Sequence, residues 1–345
     1  MASQVSVGVE SIGVYIPETF VGSEEIAHLS GIPEEVVREK FGIRRKPKAG
    51  KDQHVSDMAV AAAERALKYV PPSEIDALVY FGSEYKDYNV WPVGAHIQQR
   101  LNIKKAYSFE VMALCASGAL VLKLAKEMLL GDPELNTVLV VMGSKESELL
   151  NYKDHRMRFL YNFSDGGAAA VIRKGCAKNR ILSSAIVTDG DFSLDVYLNE
   201  GGSKIRSHSG EIVPQDRFFE VPDAENMKKR LDQVSLANFR RVIGQAAVRS
   251  GFAEKDIKFI GLTHMKRSFY EAILKEFNLT MENTFYLENY GHVQAGDQLI
   301  ILDEATRCGK IGKGELVVVA GAGTGYTWGA TALQWGEQPG GEGHL

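Results

Sequence analysis

The chain has 345 residues, 45% of them hydrophobic and 24% charged, with a formal net charge of -4. These are the proportions of a globular protein whose core needs no covalent staples, and the slight acidity argues against a dedicated nucleic-acid binder. The three cysteines, Cys115, Cys176 and Cys308, are spaced for neither a disulfide framework nor a zinc site, so no metal is expected.

In chain order, Met1–Gln4 lacks the basic and apolar regions of a secretory leader. Short β-branched runs then alternate with amphipathic helical segments, the pattern of an α/β protein. Strands are predicted at Val5–Tyr15, Ala77–Phe81, Thr137–Met142, Ala168–Ile172, Ile181–Thr188, Lys258–Leu262, Thr284–Leu287 and Leu316–Ala320. Helices are predicted over Ser56–Tyr69, with Ser56 as N-cap, and over Asn238–Ser250, closed by Gly251. The most apolar stretch, Val111 to Ala125, is too short to span a bilayer, so the expectation is a cytoplasmic protein without membrane contact. Gly336–Leu345 reads as a frayed tail.

The halves 1–175 and 176–345 look like copies. In the first, a strand ends at Glu84, a helix opens at Cys115, and Val138–Val141 leads to Gly143. In the second, a strand ends at His264, a helix opens after His292, and Leu316–Val319 leads to Gly321. Packing about a pseudo-twofold axis would put Cys115 and His292 at equivalent helix N-termini, and Glu84 and His264 at equivalent strand ends. All four would then converge at the C-terminal ends of strands, where α/β sheets bind ligands.

Cys115 is the candidate nucleophile, because a helix N-terminus favours the thiolate and Ala116-Ser117-Gly118-Ala119 leaves room beside the sulfur. A cysteine in an apolar segment is also an ordinary small packing residue. The two histidines shift the balance, since cysteine catalysis needs a base or donor beside the sulfur. His54, His96, His155 and His208 read as solvated. Glu84 is either a base able to remove a proton α to a thioester or a plain loop glutamate. Gly321-Ala322-Gly323-Thr324-Gly325 lacks the Lys-Ser/Thr ending of a phosphate loop and suits a turn whose N–H groups face a developing oxyanion.

These residues resemble a known family. Gly321–Ala330 is similar to the C-terminal signature of β-ketoacyl-acyl carrier protein synthase III, and Phe163–Val171 to its Gly-Asp-Gly-Ala segment. Phe41-Gly42-Ile43-Arg44-Arg45 resembles its early Thr-Gly-Ile-Arg element, and Trp91 to Gln98 its dimer-side helix. The resemblance implies a thiolase-like five-layer αβαβα fold of two duplicated halves, assembled as a homodimer. It implies a Claisen condensation of two thioesters through acyl-Cys115, with His264 and His292 stabilising the enolate or carbonyl. The oxyanion hole would be the backbone at Cys115 and Thr324, beside Gly323. Lys40, Arg44, Lys266 and Arg267 would face coenzyme A or acyl carrier protein, and no cofactor is implied.

The chain departs from that pattern at His292, where the family has Asn, and at Met265-Lys266-Arg267, where it has Gln-Ala-Asn. Val36 and Lys40 stand for its adenine-stacking Trp and a neighbouring Arg. Gly82-Ser83-Glu84 is also similar to HMG-CoA synthase, which implies a non-decarboxylating condensation using Glu84. Acyl transfer to another acceptor, and a non-catalytic thiolase-like subunit of a larger complex, are the remaining alternatives.

Overall fold

The computed structural model describes residues 5–199, 201–204 and 217–336, so His208 and the tail beyond Gly336 lie outside it. The first half carries β1 (Val7–Tyr15), β2 (Thr19–Gly22), β3 (Arg45–Lys48), β4 (Ala77–Gly82), β5 (Tyr107–Met112), β6 (Thr137–Lys145) and β7 (Asp165–Lys174). Its helices are α1 (Ser23–Ser30), α2 (Val55–Ala66), α3 (Val93–Arg100) and α4 (Ser117–Gly131). The second half carries β8 (Arg180–Thr188), β9 (Tyr197–Leu198), β10 (Phe219–Glu220), β11 (Ile257–Leu262), β12 (Leu316–Gly323) and β13 (Thr327–Gln334). Its helices are α5 (Ala224–Arg249), α6 (Arg267–Lys275) and α7 (Asp297–Arg307).

Nine strands form one sheet in the order β11-β12-β13-β8-β1-β7-β6-β4-β5, whose two parts meet at the Gly8–Arg180 pairing. Each part repeats one pattern. A parallel pair (β4 with β6, β11 with β12) is followed by two antiparallel neighbours (β7 and β1, β13 and β8). The runs of β4 and β6 are buried throughout because helices cover both faces of the sheet. One core packs α4 and α7 between the two parts, a second packs α2 and α3 outside the first, and a third packs α5 and α6 outside the second. Those are five layers, α-β-α-β-α.

The middle layer positions the site. At Gly118 a Cβ would come within 2.6 Å of the Ala295 carbonyl oxygen, so only glycine lets the N-terminal turns of α4 and α7 meet.

Several local expectations change. Thr284–Leu287 forms no strand, although Thr284 is held by hydrogen bonds to Tyr270 and to the Ile260 carbonyl. The N-cap of α2 is His54, whose N–H donates to Asp57 Oδ2 at 2.9 Å, while the Ser56 hydroxyl donates to Asp87. Helix α5 starts well before Asn238, at Ala224, where Asp223 accepts from the Asn226 N–H. Two strands of the nine-stranded sheet carried no clear signal. Strand β5 is a half-exposed edge containing Glu110, and β13 is rich in alanine but paired on both sides. Pairing overrides weak strand propensity there.

Candidate active site

Cys115 lies in a 3-10 turn, Leu114–Ala116, that runs directly into α4. Leu114 is forced to φ 50, a left-handed conformation costly for a branched side chain, and this sharp turn is held rather than avoided. The hydroxyl of Ser117 reinforces it, accepting from Ala113 N–H at 2.8 Å and donating to the Gly82 carbonyl at 3.2 Å.

His292 is the imidazole that reaches the sulfur, with Nε2 3.0 Å from Cys115 Sγ. Its Nδ1 donates to Asp297 Oδ2 at 2.6 Å. Asp297 is fully buried at the start of α7 and also accepts from the His264 N–H at 2.7 Å and the Val293 N–H at 2.8 Å. A carboxylate at a helix N-terminus is favoured by the dipole and here fixes the tautomer of the ring beyond it. Burial alone would push His292 down. The negative charges of Cys115 and Asp297 outweigh it and hold the imidazole well above its ordinary value. The imidazole is therefore held between the Cys115 sulfur and a buried carboxylate.

His264 is placed differently from the sequence expectation of two imidazoles flanking the sulfur. Its Nε2–H donates to the Gly42 carbonyl at 3.0 Å, and its Nδ1 accepts from Asn162 Nδ2 at 2.9 Å. Burial lowers it to about 4, so the ring is neutral, and both nitrogens are spent on protein atoms. Asn162 ties the histidines together, because its carbonyl accepts the His292 N–H at 2.7 Å and its amide also donates to the His264 carbonyl at 3.0 Å. Behind it, buried Lys46 donates to the Tyr161 and Phe163 carbonyls on either side. Burial brings that lysine down to about 7 against the pull of Asp165.

The expected equivalence of Cys115 and His292 is corrected by the geometry. The residue matching Leu114 at positive φ in the second half is Gln294, φ 49, so Ala295 matches Cys115 and His292 lies three residues earlier. Glu84 and His264 do hold equivalent places, each two residues past the end of β4 or β11.

The sulfur faces a cavity of about 420 Å³. Leu114, Leu149, Leu160 and Phe163 give it an apolar wall, and Thr324 and Gln294 also line it. Glu84 stands exposed on that lining, whereas Glu146, on the same lining, is 4% exposed. A Cβ on Gly323 would come within 3.2 Å of the Cys115 backbone nitrogen, so the glycine run passes directly over the nucleophile's turn. Arg44 and Arg267 gather at Glu288, at 3.0 Å and 4.0 Å, outside the lining of the Cys115 cavity. Lys40 and Lys266 are exposed and also absent from that lining.

Sequence reasoning missed Asp297, Asn162, Lys46 and Glu146. An acid five residues after His292, where a helix opens, was a usable signal for Asp297. Nothing local marks the other three, which act across the fold.

Among the described residues no helix is long and apolar enough to cross a membrane. Residues 109–190 match the family described as 3-oxoacyl-[acyl-carrier-protein] synthase III, and residues 248–335 match its C-terminal part. A β-ketoacyl-[acyl-carrier-protein] synthase III from Microcystis aeruginosa is 26% identical over 340 residues, 96% of this chain and 98% of that protein. One from Syntrophomonas wolfei is 27% identical over 335 residues, again 96% and 98%. The crystal structure of a 3-oxoacyl-(acyl carrier protein) synthase III from Pseudomonas aeruginosa has the same fold, with a TM-score of 0.84 at 21% identity over 97% of this chain and 100% of that one.

Proposed function

We propose that the chain is a synthase III-like condensing acyltransferase that joins two thioesters through an acyl group carried on Cys115. The observation that carries this reading is the His292 Nε2 atom 3.0 Å from Cys115 Sγ, with Asp297 behind it. His292 takes the thiol proton, and the thiolate attacks the carbonyl carbon of the donor thioester. The oxyanion is held by the backbone N–H groups of Cys115 and Thr324, which the passage of Gly323 over the turn supports. The donor's thiol leaves with the proton held by His292. A carbanion from the second thioester then attacks the acyl carbon and expels Cys115.

His264 is neutral and bonded at both nitrogens, so its proposed role in the free enzyme is to hold Asp297 and Asn162 in register. The proposed donors are acyl-coenzyme A or acyl carrier protein thioesters, the proposed assembly is a homodimer, and the chemistry requires no metal or redox cofactor. A non-catalytic subunit would have no use for a buried Cys–His–Asp array.

Intact-protein mass after incubation with acyl-coenzyme A and acyl carrier protein thioesters tests the reading. The expected result is a gain of one acyl group, absent in Cys115→Ala. No gain from either carrier overturns it in favour of the subunit alternative.

A further inference from the structure

One buried ionisable group in the cavity wall has no task in the steps above. Glu146 follows directly on β6, is 4% exposed, and lines the cavity that Cys115 faces. Its Oε1 accepts from the Ser83 hydroxyl at 2.5 Å. Beside it on the lining stands Gln294, 2% exposed, whose Oε1 accepts from the Ala295 N–H while its Nε2 has no partner. A buried acid and a buried unpaired amide are each costly. Both open onto the one place where a substrate would meet the nucleophile, so the pair is matched to a ligand that offers a proton to the acid and an oxygen to the amide.

We propose that Glu146 is the general base that removes the α-proton of the second thioester, so that this chain condenses without decarboxylation, and that the Gln294 Nε2–H holds that thioester's carbonyl oxygen. The inference rests on the acyl-Cys115 reading. The Glu146 carboxylate takes a proton from the α-carbon, and the C–H electron pair forms the new carbon–carbon bond to the acyl carbon on Cys115. The tetrahedral centre collapses, the carbon–sulfur bond breaks, and Cys115 leaves as a thiolate, which pairs with His292 once the imidazole has regained from solvent the proton it gave to the first donor's thiol. The proton on Glu146 passes to solvent, and a β-ketoacyl thioester is released. Burial raises the Glu146 carboxyl to about 6, against the Ser83 hydrogen bond and the charge of His292, which suits a base working near neutrality. Glu84, by contrast, is exposed and lacks such surroundings.

The test is deuterium uptake from D2O into the α-position of acetyl-coenzyme A. Wild-type protein is expected to catalyse exchange, and Cys115→Ala to retain it, because the base is intact. Glu146→Gln should lose it by about 100-fold or more, and Glu146→Asp should recover part of it. Melting temperature and acyl gain at Cys115, both expected to survive in Glu146→Gln, show that this variant is folded. Exchange in Glu146→Gln at the wild-type rate, or its absence from wild type with every enolisable thioester that acylates Cys115, overturns the assignment. Mass gain reports on Cys115 and deuterium on Glu146, so the two readings fail separately.

Discussion

The turns that open α4 and α7 are built alike and equipped differently. In each, a non-glycine residue sits at positive φ, Leu114 at 50 and Gln294 at 49, and the first helical side chain reaches back to the N–H four residues earlier. In the first half that side chain is the Ser117 hydroxyl, which satisfies one N–H and stops at a carbonyl. In the second it is the Asp297 carboxylate, whose charge lets it take His292 Nδ1 and the His264 N–H as well. One turn presents a sulfur at the position where the other has Ala295. On the proposed reading the duplicated scaffold divides the labour, with the nucleophile in one half and the proton-handling groups in the other, and the glycine contact at Gly118 brings them together.

Moving the sulfur to the other turn is the harshest test of that division. A Cys115→Ala/Ala295→Cys protein should show no acyl gain by mass and no turnover above the Cys115→Ala background. The place equivalent to His292 in the first half is Met112, which has no proton to exchange. Next in size, His292→Ala should cost roughly 10²- to 10⁴-fold in condensation rate, the range of a lost acid–base group.

Asp297→Asn sharpens the contrast with Ser117 by removing only the charge. His292 is held up by Asp297, so without the carboxylate it loses its proton at lower pH. Iodoacetamide alkylation of Cys115 near pH 6 should then slow, and a rate equal to that of the unsubstituted protein would show that Asp297 does not hold the proton on His292.

The smallest effect is on stability. Glu146 is raised from 4.5 to about 6 by burial, with Ser83 and His292 opposing and Asp165 assisting. Its folded-state pKa lies above the unfolded one, so its contribution to stability is greatest below 4.5 and is lost as pH rises through 6. Glu146→Gln should therefore raise unfolding free energy at pH 8 by about 2 kcal/mol, from 1.5 units at 1.36 kcal/mol each. Denaturant melts at pH 8 and pH 4 check this, since the gain should vanish at pH 4. A gain unchanged at pH 4 would mean the carboxylate is not the source.

Much of this was written locally in the chain. The alternation of β-branched runs and amphipathic segments marked the α/β class, and Cys115 with its small neighbours marked the candidate nucleophile. The Gly291-His292 turn ahead of an apolar helix marked the second turn, because strand period, helix period and turn chemistry are properties of neighbours in sequence. The equivalence of Cys115 with Ala295 was not legible, since it is set by a backbone angle shared by Leu114 and Gln294 that neither side chain advertises. Nor could sequence say which imidazole faces the sulfur. His264 and His292 each follow a recognisable element, but the Gly42 carbonyl and Asn162, 222 and 102 residues away from His264, decide where its nitrogens point. Glu146 reads as one of many acidic residues until Ser83 and the cavity surround it. The sequence by itself determined most of the sheet and offered Cys115 as the candidate nucleophile. Tertiary structure decided the protonation states, because burial and charge pairing depend on groups that are neighbours only in space.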